Sequence, residues 1–361
     1  MALAGVRSLG APQRLVTPQD IEDFEQELID QYALAAVGAG FADSTIHDDR
    51  AAVFEFARFL RRPVWEARPE DGDGFLANLR RRGQARSTMA GKATSIAAFF
   101  EFLIARYQGD IHALTGHVLI QPIDEFNKPS ARITSGAARI PPRDEEIAVL
   151  FASWRDSLPR VRKFLPAARD YMAASLWRRV GLRINETVML DMRDWHPELG
   201  DFGKLHVRFG KGARGRGPTT RLVPAINSVA PLMEWWLTDV RHQFGDDWAD
   251  PDAPLLPSER RDKLTGWCTR TGAEAMRSGL VGAVEAWLPA WSGRVTPHVL
   301  RHYCASSLYQ HGMDLKAVQE LLGHQWLSTT TRYIHVHDDH IETAWAAANE
   351  RIARQLSELG R

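Results

Sequence analysis

Cysteine is scarce: Cys268 and Cys304 are the only two, and they form no CxxC pair. Neither a disulfide framework nor a cysteine-based zinc site is expected, and a reducing cytoplasm is the compartment that fits. Net charge is also lacking, with 45 Lys and Arg balanced by 45 Asp and Glu. That balance does not announce a nucleic-acid partner, but DNA binding needs only a basic face. The clusters Arg80-Arg81-Arg82 and Arg214-Gly-Arg216 offer one, and each reads equally as a solvated helix end or loop. No run of about 18 consecutive apolar residues occurs, so no membrane span is expected. The opening MALAGVRSLGAPQR has no apolar stretch of the signal-peptide kind, and a soluble, intracellular protein is the expectation. There is no P-loop to bind ATP and no carboxylate cluster to hold a metal.

What is present is ordinary globular composition, 44% apolar over 361 residues, a length that favours two domains. Residues 1–16 read as a flexible leader. Thr17-Pro18 then opens a helix, with Thr17 as N-cap and Pro18 in the first turn. A second helix begins near Ser44, with Val53, Phe54, Ala57 and Leu60 on its apolar side, and stops before Pro63. A third spans Phe75–Arg82. A fourth spans Ser87–Tyr107, with Ile96, Phe99, Phe100 and Leu103 as its apolar stripe. Residues 17–125 are therefore expected to form an all-helical domain, and the Pro-, Ser- and Gly-rich residues 126–142 a linker.

From 143 to 361 the pattern is mainly helical with one interruption. Lys204–Phe209 and Thr220–Pro224 flank the turn-rich Gly210-Lys-Gly-Ala-Arg-Gly-Arg-Gly-Pro, the signature of a small β-hairpin with a long loop. A helix is expected over Ser228–Gln243, and a Pro/Asp-rich loop at 245–257. Residues 245–295 as a whole read as ordinary packed loop and helix, or as an insertion touching DNA or a partner. The fold class expected is mainly α, with a small β-hairpin in the second domain.

Several polar residues sit in suggestive settings. Arg183 lies in Gly181-Leu-Arg-Ile-Asn-Glu186, and Lys211 in the hairpin turn. Each alone reads as a surface group. His298 and Arg301 stand three apart on a predicted helix, which puts both on one face with β-carbons about 5–6 Å apart. Two such groups disfavour folding unless an anion compensates them, and a phosphate is a fitting anion. Asp314–Gly323 reads as an amphipathic helix stopped by glycine, with His324 just beyond it. Tyr333 ends Ser328-Thr-Thr-Thr-Arg-Tyr, and alone reads as a half-buried core residue.

Taken together, GLRINE, GKG, HVLRH, LLGH and STTTRY, in that order, resemble the tyrosine recombinase (phage integrase) family. The resemblance covers roughly residues 143–340, and residues 17–125 resemble more loosely the family's SAM-like, DNA-clasping core-binding domain. It implies that Tyr333 is the nucleophile and that Arg183 and Arg301 clamp the scissile phosphate. Lys211 is then the general acid for the leaving 5′-oxygen, His298 a phosphate ligand and proton manager, His324 its helper, and Glu186 a supporting group. Planar guanidiniums suit the charge that builds on a five-coordinate phosphorus. The resemblance thus implies neither metal, cofactor nor ATP. It also implies double-stranded DNA sites as partners, a homotetramer on paired sites, a cytoplasmic, nucleoid-associated location, and in some members accessory DNA-bending or partner recombinase proteins. An amphipathic helix is expected over His340–Leu359, either packed on its own domain or docked on a neighbouring protomer. Two other readings remain open here, a type IB topoisomerase and a non-catalytic DNA-binding relic.

Overall fold

The computed structural model describes residues 15–129, 141–210, 217–245 and 248–323. The chain divides into two compact units, the first formed by the N-terminal residues up to Gly136 and the second by most of the remainder.

Among its described residues the first unit has five α-helices, α1 (Pro18–Gly38), α2 (Asp43–Leu60), α3 (Pro69–Arg81), α4 (Arg86–Arg106) and α5 (Gln108–Thr115). Its start is fixed as the sequence dictates. The Thr17 hydroxyl accepts the Asp20 amide at 3.1 Å, and the Asp20 carboxylate accepts the Thr17 amide at 2.8 Å, a reciprocal cap. The apolar stripes of α1, α2, α3 and α4 meet in one core that includes Leu28, Phe56, Phe75, Ile96, Phe99, Phe100 and Leu103. Its rings meet edge-on, Phe56 against Phe75 at 5.3 Å and Phe99 against Phe100 at 5.6 Å, the arrangement that ring quadrupoles favour. Among the described residues α4 alone has the length and composition to cross a membrane, and its apolar face is buried in this core. The helical packing ends in an ordered turn, where the Asp124 carboxylate accepts the amides of Phe126 and Asn127. Ordered chain therefore runs past residue 125, into the segment whose composition suggested a linker. Residues 130–140 lie outside the described part.

The second unit is organised on α7 (Phe164–Val180), which is buried on nearly every side: Met172, Ala173, Ala174, Leu176, Trp177 and Val180 have no exposed surface. A helix buried to this extent belongs at the centre of a domain, and its buried charges Arg169 and Asp170 pair with each other at 2.8 Å. Around it pack α6 (Asp144–Ser157), α8 (Ile184–Val188), and a small antiparallel sheet of β1 (Trp195–His196), β2 (Lys204–Gly210) and β3 (Thr219–Pro224). Leu205 pairs with Val223, Val207 with Arg221 and Gly210 with Thr219, with a bulge before Gly210. This is the hairpin the alternation predicted.

The helix expected over Ser228–Gln243 is one continuous rod of three kinds. Its α-helical part, α9 (Val229–Trp235), passes into a π turn at Trp236–Val240 and a 3-10 turn at Arg241–Phe244. Next comes a second hairpin, β4 (Pro257–Arg261) with β5 (Cys268–Arg270), in a stretch where the sequence suggests loop and helix, or an insertion, but no strand. Its strand Pro-Ser-Glu-Arg-Arg has no apolar alternation to betray it. The turn did carry a signal, since the Asp262 carboxylate accepts the amides of Leu264 and Thr265, both at 2.9 Å. Helices α10 (Ala273–Trp287), α11 (Pro297–Gln310) and α12 (Leu315–Leu322) follow, the last elements among the described residues. Met276, Leu280 and Val284 of α10 sit in its core, so this part of residues 245–295 is ordinary packing. The architecture is mainly helical with small antiparallel sheets, as expected.

Gly181 ends α7 with a positive φ of 64°, and a methyl group on it would stand 2.4 Å from Leu322 of α12. Gly181→Ala therefore meets both a backbone penalty of about 1–2 kcal/mol and an overpacking penalty of about 1–3 kcal/mol. Urea unfolding is expected to show a loss of that combined size with an unchanged m-value; wild-type stability would contradict the packing described.

Candidate active site

Three elements of the second unit converge on one carboxylate. Glu186 occupies the third position of α8, where its Oε2 caps the helix by accepting the Arg183 amide at 2.8 Å. Its side chain is 1% exposed. Arg183 Nη1 donates to Oε1 at 2.6 Å. Arg221, reaching in from β3, donates from Nη1 to Oε1 at 2.9 Å and from Nη2 to Oε2 at 2.8 Å, a parallel fork. Arg301, from α11, brings its Nη1 within 4.0 Å of Oε2.

The same guanidiniums hold backbone carbonyls. Arg301 donates to the carbonyls of Gly181 and Leu322, the latter at 2.6 Å. Arg221 Nε donates to Leu321 at 3.1 Å, and Arg183 Nη2 to Gly323 at 3.3 Å. The last carbonyls of a helix have no partner inside it and carry the negative end of its dipole, so cations gather there. The end of α12 is thus held by three arginines. Gly323 terminates it at a φ of +63°, and a methyl group there would stand 2.9 Å from Arg221 Cδ.

Arg301 is 1% exposed, and the carbonyls of Gly181 and Leu322 and the Glu186 carboxylate surround its guanidinium within the fold. His298, one turn earlier, is exposed and lies edge-on to His302 at 4.6 Å.

Burial would push the Glu186 carboxyl upward, but the Arg221 fork and the Arg183 charge outweigh it and hold the group down at about 2. A depressed carboxyl stabilises the fold above its unfolded pKa, and that contribution is lost as the pH falls from about 4.5 towards 2. The loss is on the order of 3 kcal/mol. Equilibrium unfolding between pH 5 and 2 is expected to be steeper in the wild type than in Glu186→Gln; parallel curves would contradict this.

Three guanidiniums against one carboxylate leave the cluster positively charged. Arg183, with 27% of its side chain exposed against 12% for Arg221 and 1% for Arg301, is the one an incoming anion meets first. Of the residues singled out from sequence, the structure brings together Arg183, Glu186 and Arg301, and places His298, exposed, on the otherwise buried first turn of α11. Lys211, His324 and Tyr333 lie outside the described residues. Arg221 was missed. Its signal lay in Thr-Thr-Arg-Leu-Val-Pro, where alternation puts Arg221 on the same face as the buried Val223 and leaves Leu222 outside, 47% exposed.

Comparison with known proteins follows the same line. The sequence model of the phage integrase family matches residues 156–340. A protein named tyrosine recombinase XerC from Roseiflexus castenholzii is 28% identical over 335 residues, covering 91% of this chain and 92% of its own. One named tyrosine recombinase XerD from Oceanobacillus iheyensis is 24% identical over 339 residues, covering 91% and 99%. The fold resembles that of the XerH site-specific recombinase bound to a palindromic difH substrate, with a TM-score of 0.61, 18% identity and coverage of 91% and 84%. It also resembles a lambda integrase dimer bound to a COC′ core site, with a TM-score of 0.60, 15% identity and coverage of 86% and 95%.

Proposed function

The chain belongs to the phage integrase family, and from that premise we propose that it is a site-specific recombinase that cuts and rejoins DNA through a 3′-phosphotyrosyl intermediate on Tyr333. The observation that carries the reading is the arginine cluster around Glu186, an anion site built from α8, β3, α11 and the end of α12. In this mechanism Arg183 and Arg301 bind the scissile phosphate and stabilise the charge that builds on its equatorial oxygens. A single well-aimed donor in such a role is worth on the order of 3 kcal/mol.

The Tyr333 phenolic oxygen attacks phosphorus, and the bond to the 5′-oxygen breaks as Lys211 supplies its proton. His298 and His324 hold the phosphate and manage the phenolic proton. The phosphodiester bond is conserved as a phosphotyrosyl ester, so a 5′-hydroxyl from another strand reverses the step without ATP. Glu186 keeps Arg183 aligned through the cap and ion pair on α8. The N-terminal helical unit acts as the core-binding domain on the DNA, the enzyme assembles as a tetramer on two paired sites, and it works in the cytoplasm on the nucleoid.

The test pairs two assays on one preparation, strand exchange between two copies of a defined site and relaxation of an arbitrary plasmid. Exchange confined to the site is expected. Vigorous relaxation without site preference would point to a topoisomerase and overturn the reading. Removing residues 340–361, outside the described part, is expected to weaken assembly of paired sites by at least about 10-fold while leaving single-site binding unchanged, as loss of a second linked contact does. Gel-shift titration separates the two steps, and unaltered pairing would show that this segment does not dock on a neighbour.

A further inference from the structure

We propose that Arg221 is a positioning residue for strand cleavage, one that acts through Glu186 and the end of α12 without touching DNA. The proposal rests on the recombinase reading above and adds to it a residue from the hairpin strand.

Arg221 occupies a place that apolar packing alone would give to a hydrophobic residue. It shares the inward face of β3 with Val223, while Leu222 is left outside. What holds it there is a set of three acceptors, one for each of its nitrogens. Nη1 and Nη2 take the two oxygens of Glu186, and Nε takes the carbonyl of Leu321. The planar fork is needed, because a lysine ammonium carries the charge but cannot span both carboxylate oxygens and the carbonyl.

Two glycines also lie close to Arg221. A methyl group on Gly323 would stand within 3.0 Å of its Nε and Nη1, and one on Gly210 would stand 3.4 Å from its Nη1. Gly323 immediately precedes His324, and Gly210 immediately precedes Lys211. One side chain therefore lies near both glycines that precede the proposed proton-handling residues in sequence.

The electrostatic consequence follows from the two oxygens of Glu186. With Arg221 present, the carboxylate is satisfied from the side of β3, and Arg183 is one partner among several. Without it, the buried carboxylate has only Arg183 and the more distant Arg301 to neutralise it. Those are the groups assigned to the phosphate, so carboxylate and phosphate then compete for the same donors. Arg221 thus raises the positive charge available to the phosphate and fixes the geometry in which it is offered.

The experiment measures single-turnover cleavage of a nicked suicide duplex carrying the site that the protein selects from randomised DNA. DNA affinity and thermal unfolding are followed in parallel. Arg221→Ala is expected to slow cleavage by about 10–100-fold while the Kd for the duplex changes by less than about 3-fold. Arg221→Lys is expected to recover part of the rate. Introduced into Glu186→Gln, Arg221→Ala is expected to slow cleavage by a smaller factor than in the wild type, because the group it acts through is gone. Wild-type cleavage by Arg221→Ala overturns the proposal. So do equal losses of cleavage and binding, or effects of the two substitutions that simply multiply. If Arg221→Ala does not fold, Arg221→Lys carries the test: slower cleavage with unchanged Kd supports it, and an unchanged rate overturns it. A wild-type protein that never attaches to the duplex counts against the recombinase reading instead.

Discussion

Tyr333→Phe is expected to abolish covalent attachment to a nicked suicide duplex and to leave DNA binding intact. The substitution removes one oxygen and keeps the ring, so packing and charge around it change little. A free tyrosine ionises near ~10, and a site carrying three guanidiniums favours the phenolate that attack requires. Tyr303 is the described tyrosine nearest in sequence to the HxxR motif on α11. Burial, and then a hydrogen bond with Asp144, push its hydroxyl well above the usual phenol value, so it makes a poor nucleophile. Gel electrophoresis under denaturing conditions reads the outcome directly. A persisting protein–DNA band in Tyr333→Phe would remove Tyr333 from the mechanism.

The second large effect is expected at Arg301. Arg301→Ala should lower the cleavage rate by about 10³-fold, the scale of losing a pre-aimed donor at the developing charge. It should also destabilise the fold, because the carbonyls of Gly181 and Leu322 lose a donor inside the core, at about 1–3 kcal/mol for each unsatisfied group. Arg301→Lys separates the two effects. The ammonium retains a charge and one of the backbone bonds, so stability should largely return, while cleavage stays slow for want of two parallel donors. Chemical denaturation and single-turnover kinetics on the same variants check this. Full recovery of cleavage in Arg301→Lys would show that charge alone suffices and that the fork is not needed.

The helices were legible where periodicity and caps agreed. Thr17 with Pro18 marked the start of α1, the Phe99, Phe100 and Leu103 stripe marked the face of α4, and Gly323 marked the end of α12. The hairpin at β2 and β3 was legible because alternation and turn residues coincide there. The hairpin at β4 and β5 was not, because its first strand is a run of polar and charged residues whose register comes from pairing.

Within the site, Arg183, Glu186 and Arg301 could be singled out one by one, and their family resemblance gave them roles. What spacing could not supply was the convergence. Arg183 and Glu186 are local, joined by the cap of α8, whereas Arg221 and Arg301 arrive from strands and helices far along the chain. Arg221 escaped notice for the same reason: its partners, Glu186 and Leu321, lie 35 and 100 residues away. Tertiary contacts at such separations leave only a faint local trace, here an arginine on the inward side of a short strand.

The central claim is that DNA becomes joined through a 3′-phosphate to the phenolic oxygen of Tyr333. Trapping the wild-type protein on the nicked suicide duplex, digesting the adduct and sequencing the nucleotide-bearing peptide by mass spectrometry tests it most directly. The account predicts a single modified peptide, with the nucleotide mass on Tyr333 and a free 5′-hydroxyl on the released strand. A nucleotide carried by any other residue, or a linkage through a 5′-phosphate, would contradict it.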